Sequence, residues 1–451
     1  MRTFLTTPAK VLPVVFTLIV VGVVSYANWR DATRSRDASR SARSLPGRTT
    51  AVKTSRADLA ARIGELESTL RANSADVGSA VLLGDALMRQ ARVTGNVGLT
   101  ARAEEALKVA LKVDPANYEA QRMLSTVYLS QHRFREALAM ADRMTSIRAE
   151  DAWNYGVAGD AHIELGDYDQ AFASFQKMME TKPSAPAYAR ASYALELQGD
   201  WRGALESMRL SLAATSPIDV EALAWHQAQI GDLLFAMGAV DEAARCYERG
   251  YVLFRDHPAI VAGLSKARAA RGEYQSALDL NLALFARQPS PDIAGRIGDL
   301  HHVLGHEDEA ERYYALAESG WRTDMPEPGY LAAFLAERNR NIDEAVALAE
   351  TQASWRRDIF TMDALAWAYF RAGRLPEAVD ASKQARRTGT KNRVILYHAA
   401  AIEEAAGDRR AARRLVDAAL DGHPHFDLIV APEAAALRAR LDAASALARR
   451  S

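Results

Sequence analysis

The chain has 451 residues, of which 49% are hydrophobic and 25% charged; 56 basic and 57 acidic residues leave a formal net charge of −1. These are globular values, so a largely disordered chain is excluded, and the even charge argues against a surface built for nucleic acid. A single cysteine, Cys246, rules out an internal disulfide and a Cys-rich zinc cluster, and 26 Gly with 15 Pro rule out a collagen-like or low-complexity chain.

The first element is an uncharged run, residues 11–29, dense in Val, Leu and Ile. Nineteen residues at helical rise span about 28 Å, enough for a bilayer core. Arg2 and Lys10 precede it, and Ser25-Tyr26-Ala27 has the small-x-small form of a cleavage site. The expectation is a signal or anchor segment over 1–29, with an uncleaved membrane anchor ahead of cleavage after Ala27. Six arginines follow the run, from Arg30 to Arg48, which by the positive-inside rule favours a cytoplasmic body. Signal-type N-termini instead export the remainder of their chain. The reading adopted is export, with extracytoplasmic repeats and the cytoplasmic-facing anchor as the alternative. Residues 30–55 are rich in Arg, Ser and Ala without apolar period and read as a flexible tether.

Leu59, Ile63, Leu66 and Leu70 then form one apolar helical stripe, read as an N-terminal capping helix over 56–75. Beyond it, alanines recur at 103, 137, 171, 204, 243, 277, 310, 345, 378 and 412, at spacings of 33 to 35 with one of 39. Five residues before each stands a glycine in eight of the ten copies; His132 and Arg340 take its place in the others. Glycine there ends a first helix in the left-handed conformation without steric penalty. Pro115, Pro183, Pro289 and Pro424 fall twelve residues after the alanine, where a second helix must stop. The clearest copy runs Ala158-Gly159, His162, Gly166-Asp167-Tyr168, Ala171, Phe175 and Pro183; others are Ile230-Gly231, Gly238, Ala243, Tyr247 and Ile297-Gly298, Gly305, Ala310, Tyr314.

This pattern resembles the tetratricopeptide repeat (TPR) family, of the bacterial membrane-anchored or exported kind. The resemblance spans about ten repeats over 76–425 and implies an all-α right-handed solenoid in which each helix pair buries one face against its neighbours. Residues 426–451 read as a C-terminal capping helix. The copies depart from the frame in a longer loop near Val93–Leu99, in the five-residue excess around Thr215–Glu221, and in the eighth repeat.

No P-loop, dinucleotide fingerprint, nucleophile elbow or His-Glu-x-x-His motif is present, and the repeats leave no room for a catalytic domain. The chain is therefore read as no enzyme, with no cofactor and no metal. His301, His302 and His306 with Glu307, and His423 with His425, are expected in packing or surface roles. Cys246 is expected to be a small buried hydrophobe.

In TPR proteins the first helices line a concave groove for an extended peptide or a partner helix. The positions implied to face inward carry Asp160, Tyr193, Asp232, Lys266 and Asp299 in the middle, and Tyr330, Phe334, Trp367, Phe370 and Tyr397 toward the C-terminus. These ten are the candidate partner-binding residues, the aromatics as hot-spot material. TPR clamps for the acidic tails of heat-shock chaperones need Lys, Asn and Arg in this series. Only Arg122 and Lys266 are offered, so a chaperone-tail adaptor is not expected. The function expected is a scaffold for a protein or peptide partner, membrane-associated through residues 11–29 and without nucleic acid. The alternative is an accessory subunit of an envelope enzyme or of a polysaccharide or protein export assembly.

Overall fold

The computed structural model describes residues 56–94, 96, 98–255, 257–323 and 328–448. The membrane segment and the tether read at 1–55 lie outside these residues. Among the described residues there are 22 helices and no strand, and no helix is long and apolar enough to cross a membrane. The first helix, α1 (Arg56–Ala72), buries Leu59, Ile63 and Leu66, the stripe read from its spacing. Ten helix pairs follow, from α2 (Val77–Thr94) with α3 (Gly98–Val113) to α20 (Arg393–Ala405) with α21 (Arg409–Leu420), and α22 (Val430–Ala448) closes the array. The contacts between helices two places apart join first helices of pairs, or the last first helix to the closing helix, so first helices crowd the inside of the curve.

Local chemistry explains each pair. All ten frame alanines are at most 1% exposed, because two helix backbones meet there and leave no room for more than a methyl group. The mid-helix glycines work with a ring from the partner helix: a Cβ on Gly159 would lie 2.3 Å from Phe175, and one on Gly231 2.4 Å from Tyr247. At the turns, seven of the eight frame glycines have φ between +73° and +90°. Gly98 does not; it opens α3, its N–H donating to Asn96 Oδ1 at 3.0 Å. His132 takes the left-handed turn at φ +58° in place of glycine. In the eighth repeat that role falls on Asn339 (φ +52°), one position before Arg340. Asparagine tolerates this region better than most L-residues.

The array coils far enough for its edges to meet. The Arg357 N–H donates to the Glu164 carbonyl at 2.8 Å, and the Ile359 N–H to the Tyr168 hydroxyl at 2.8 Å. Arg356 sits between Glu164 (2.7 Å) and Asp358 (2.8 Å). Arg387 donates to the carbonyls of Gly166 (3.2 Å) and Arg357 (2.6 Å). Further along, Arg393 donates to the carbonyls of Ala236 (3.0 Å) and Ala419 (2.7 Å), and His423 stands edge-on to Phe235 with ring centroids 4.6 Å apart. The intra-repeat turns of the third to fifth pairs thus dock on the connections of the last three. The longer connection between the fourth and fifth pairs has a similar role. Its Asp219, and Glu221 just after it, meet Arg89 (3.6 Å) and Arg92 (3.4 Å) of α2.

Candidate functional site

The middle carboxylates of the inward series act first as staples between repeats. Asp160 receives two donors from Arg190, Nε at 3.0 Å and Nη2 at 2.6 Å. Asp232 Oδ1 accepts from the Tyr247 hydroxyl (2.8 Å) and from Lys266 Nζ (2.8 Å). Asp299 accepts from the Tyr314 hydroxyl (3.0 Å) and from Arg338 (2.6 and 2.7 Å). In the last two cases the tyrosine comes from the same repeat and the cation from the next one, Lys266 on its first helix and Arg338 just past the end of its first helix. None of Tyr247, Tyr314, Arg190 and Arg338 is among the ten candidate binding residues; the two tyrosines stand in the sequence only as members of the repeat frame. Tyr247 and Tyr314, four residues after their frame alanines, carried a signal; Arg190 and Arg338 sit at different offsets in each repeat and carried none.

The C-terminal aromatics are placed differently from one another. Phe334 (4% exposed), Trp367 (2%) and Tyr397 (6%) are buried, and Phe370 is half-buried against Trp367, centroids 5.0 Å apart. Their ring faces are taken by the chain itself, a correction to the expectation of an exposed aromatic groove. The reason is the tight curve of first helices, which brings Phe334 against Trp321 and Tyr314, and Trp367 against His398. Tyr193 is half-buried beside the same core. Tyr330 alone of this set stays open, at 45% exposed.

Sequence reading missed His398, which is the electrostatic centre of this region. It is 2% exposed and stacks on Trp367 at 4.0 Å. Its Nδ1 lies 2.9 Å from Asp363 and its Nε2 3.1 Å from Glu337. Burial opposes the charge, but the two carboxylates hold the imidazolium, with its pKa raised to about 10. A single His in a Tyr-His-Ala context gives no sign of this; the partners come from two other repeats.

The open space is a cavity of about 700 Å³ inside the coil. One wall is made by successive first helices: Glu196 from α8 (Ala185–Leu197), Asp232 and Phe235 from α10 (Val220–Ala236), Lys266 from α12 (Pro258–Ala270) and Asp299 from α14 (Pro291–Val303). The opposite wall is the chain's own C-terminal part: Phe360 at the start of α18 (Ile359–Arg371), residues 390–394 and the segment around 424–435. A groove in the sequence reading is therefore a chamber in the fold. Of the ten predicted residues, it gathers Asp232, Lys266 and Asp299. A smaller recess of about 120 Å³ adjoins it through Phe360, with Tyr330 on its rim and Ala333, Ala349 and Ala364 among its lining. Phe360 is 44% exposed and was not picked out from the sequence, because it lies outside the inward-facing offsets.

The remaining clusters hold no convergent chemistry. His301 stacks on Tyr313 (5.6 Å), and His302 pairs with Glu307 at 3.0 Å. Among the described residues no group of three or more His, Cys, Asp or Glu is arranged to hold a metal ion. Cys246 is 3% exposed, burial pushes its thiol up, and Arg249 donates to its Sγ at 2.9 Å.

Two models of the tetratricopeptide repeat match, at residues 98–158 and 154–184. With the same helix pairs and frame alanines continuing to Leu420, the chain is a tetratricopeptide-repeat protein. It is 33% identical over 99 residues to the Hsp70-Hsp90 organizing protein of Triticum aestivum, covering 21% of this chain and 17% of that one. It is 28% identical over 276 residues to cellulose synthase operon protein C of Xanthomonas axonopodis pv. citri, covering 50% of this chain and 18% of that one. The chain thus spans less than a fifth of the length of these curated relatives. Among solved structures, human IFIT1 with m7Gppp-AAAA overlaps 74% of this chain and 78% of its own, at 14% identity and a TM-score of 0.48. The type IV pilus biogenesis factor PilW overlaps 49% and 99%, at 16% identity and a TM-score of 0.40.

Proposed function

We propose that this chain is a non-enzymatic scaffold that holds an extended segment of a protein partner in the chamber. The single observation that carries the reading is the cavity itself. It is of ligand size, lined by the first helices, and bordered by a recess between two exposed aromatic rings, Tyr330 and Phe360. In this reading an apolar side chain of the partner seats in the recess, and the polar wall fixes its register. Binding energy comes from the anchor and from water excluded around it. Of the ten residues expected to bind, Tyr330, Asp232, Lys266 and Asp299 keep that role. Asp160, Tyr193, Phe334, Trp367, Phe370 and Tyr397 shape the wall from behind.

Residues 11–29 would hold the scaffold at a membrane, with the repeats on the extracytoplasmic side. Tethering there raises the effective concentration for a membrane partner. A second reading, an accessory subunit of an envelope export assembly, is favoured by the likeness of half the chain to a cellulose synthase operon protein. Both are tested by a photo-crosslinking residue at Phe360, with one at Val252, 86% exposed, as the control. A discrete partner adduct at 360, absent at 252 and lost with Tyr330→Ala, is expected. Equal labelling at the two positions would contradict the chamber reading. The identity of the adduct separates an export-assembly subunit from another partner.

A further inference from the structure

The charged groups of the chamber are unequally committed. Lys266 is paired with Asp232 and lies over the Phe235 ring at 5.3 Å. Arg296 is paired with Asp292 and donates to Asn281 Oδ1 at 3.3 Å. Arg393 is spent on two carbonyl oxygens and lies over Trp201. Asp299 is saturated by Arg338 and Tyr314. Two carboxylates remain. Asp427 uses one oxygen, Oδ1, for the N–H groups of Ile429 and Val430, both at 2.8 Å, and among the described residues no cation pairs with it. Among the described residues Glu196 has neither hydrogen bond nor ion pair; it is half-buried in the first-helix wall, with Asp232 and Lys266 the charges that act on it.

The two carboxylates thus leave acceptor capacity open to the chamber, beside an aromatic ring, Phe360, that is 44% exposed. A carboxylate acceptor is best met by a charged nitrogen donor, and an open ring face favours the same cation. Glu196 is half-buried and Asp427 exposed, so a ligand in the chamber can reach the free oxygens of both.

We infer that the chamber receives a basic side chain, lysine or arginine, of the partner segment, held between Glu196, Asp427 and the Phe360 ring. This rests on the reading of the chamber as the binding face. The neighbouring recess takes the apolar residue of the same segment, so the segment combines one aliphatic and one basic residue.

The test is a random dodecapeptide library selected on the full-length protein. Elution is by excess of the selected peptide, and Phe360→Ala serves as the counter-selection that localises binding to the chamber. The inference expects Lys or Arg enriched at one position. The best synthetic peptide should bind the Glu196→Gln and Asp427→Asn variants about tenfold more weakly. Replacing its basic residue by norleucine should cause a similar loss in the wild type and little further loss in the double variant. The Glu196→Gln variant should meanwhile be no less heat-stable than the wild type, a result that a merely structural role for Glu196 would reverse. Chamber-specific peptides with no basic preference, or with Asp or Glu enriched, would overturn the inference and leave the peptide-binding reading intact. No chamber-specific peptide at all would overturn both. Spermidine competing as tightly as the best peptide would assign the site to a free polyamine and overturn the side-chain source.

Discussion

Closing the coil depends on turn backbones approaching without side chains, and Gly238 is where this is sharpest. A Cβ there would lie 2.3 Å from the Gly422 carbonyl oxygen, where ordinary contact begins near 3.4 Å, so the two edges would part by about 1 Å. Gly272 has nearly the same backbone, φ +78° against +84°, yet a Cβ there meets nothing within 4 Å. Alanine at either position carries the left-handed penalty, about 1 kcal/mol. At Gly238 the parting also disrupts the Arg393 hydrogen bond to Ala236 and the Phe235–His423 contact. A hydrogen bond from a charged donor is worth about 1.5–3 kcal/mol, and an aromatic pair about 0.5–1.5 kcal/mol. Gly238→Ala should therefore destabilise by about 3–5.5 kcal/mol in total and Gly272→Ala by about 1 kcal/mol. Repeat arrays unfold piecewise, so a single melting midpoint is a poor readout. Hydrogen–deuterium exchange is local: Gly238→Ala should speed exchange in both 234–240 and 420–430. Gly272→Ala should affect only its own turn. Equal effects from the two substitutions, with 420–430 unchanged, would refute the docking of these edges.

Other outcomes stem from the charged interior. His398→Gln leaves Glu337 and Asp363 without their shared cation and should cost about 3–5 kcal/mol, read by urea unfolding monitored on Trp367 fluorescence in a chain with the other tryptophans replaced. Because His398 is held near pKa 10, above its unfolded value, its contribution is complete below about pH 6.5 and fades as pH rises toward 10. Wild-type stability should fall over that range, and the His398→Gln difference should shrink with it. Glu196 runs the opposite way from a paired carboxylate. Burial, with Asp232 nearby, raises it to about 7 despite Lys266, so its ionisation removes stability as pH rises from the ordinary carboxyl range through 7. Glu196→Gln should strengthen amide hydrogen-exchange protection of α8 at pH 8, relative to the wild type at the same pH, and barely change it at pH 4; weaker protection at pH 8 would contradict this. Tyr247→Phe removes the hydroxyl that Asp232 accepts while preserving the packing, and should destabilise by about 0.5–1.5 kcal/mol in chemical denaturation. Cys246 should resist alkylation in the native state and react on unfolding, measured by mass spectrometry.

The repeat frame was legible because its constraints are local. An alanine that admits a crossing helix and a glycine that ends a turn act within one helix pair, so a spacing near 34 shows them directly. Even the exceptions obey the same demand, with His132 and Asn339 adopting the left-handed turn without a glycine. The site was legible only in part. Inward offsets found Asp232, Lys266 and Asp299, which do line the chamber. They could not show that Trp367 and Tyr397 are covered, since their covers include His398 and Glu433, the latter accepting from the Tyr397 hydroxyl at 2.8 Å. Nor could spacing reveal that residues 390–394 and 424–435 form the far wall. That is set by the pitch of the whole coil, to which each repeat adds a small rotation and no single residue a signal.

The chain's own last repeats close the inner face of the coil. Spin labels at Arg202 and Lys391, both exposed and on opposite sides of the contact where Gly199 meets Lys391, test it directly in a Cys246→Ala background. Dipolar spectroscopy should give one narrow, short distance, and Gly199→Ala should broaden it. A long or broad distribution in the unsubstituted protein would mean an open solenoid, and the chamber would be contradicted.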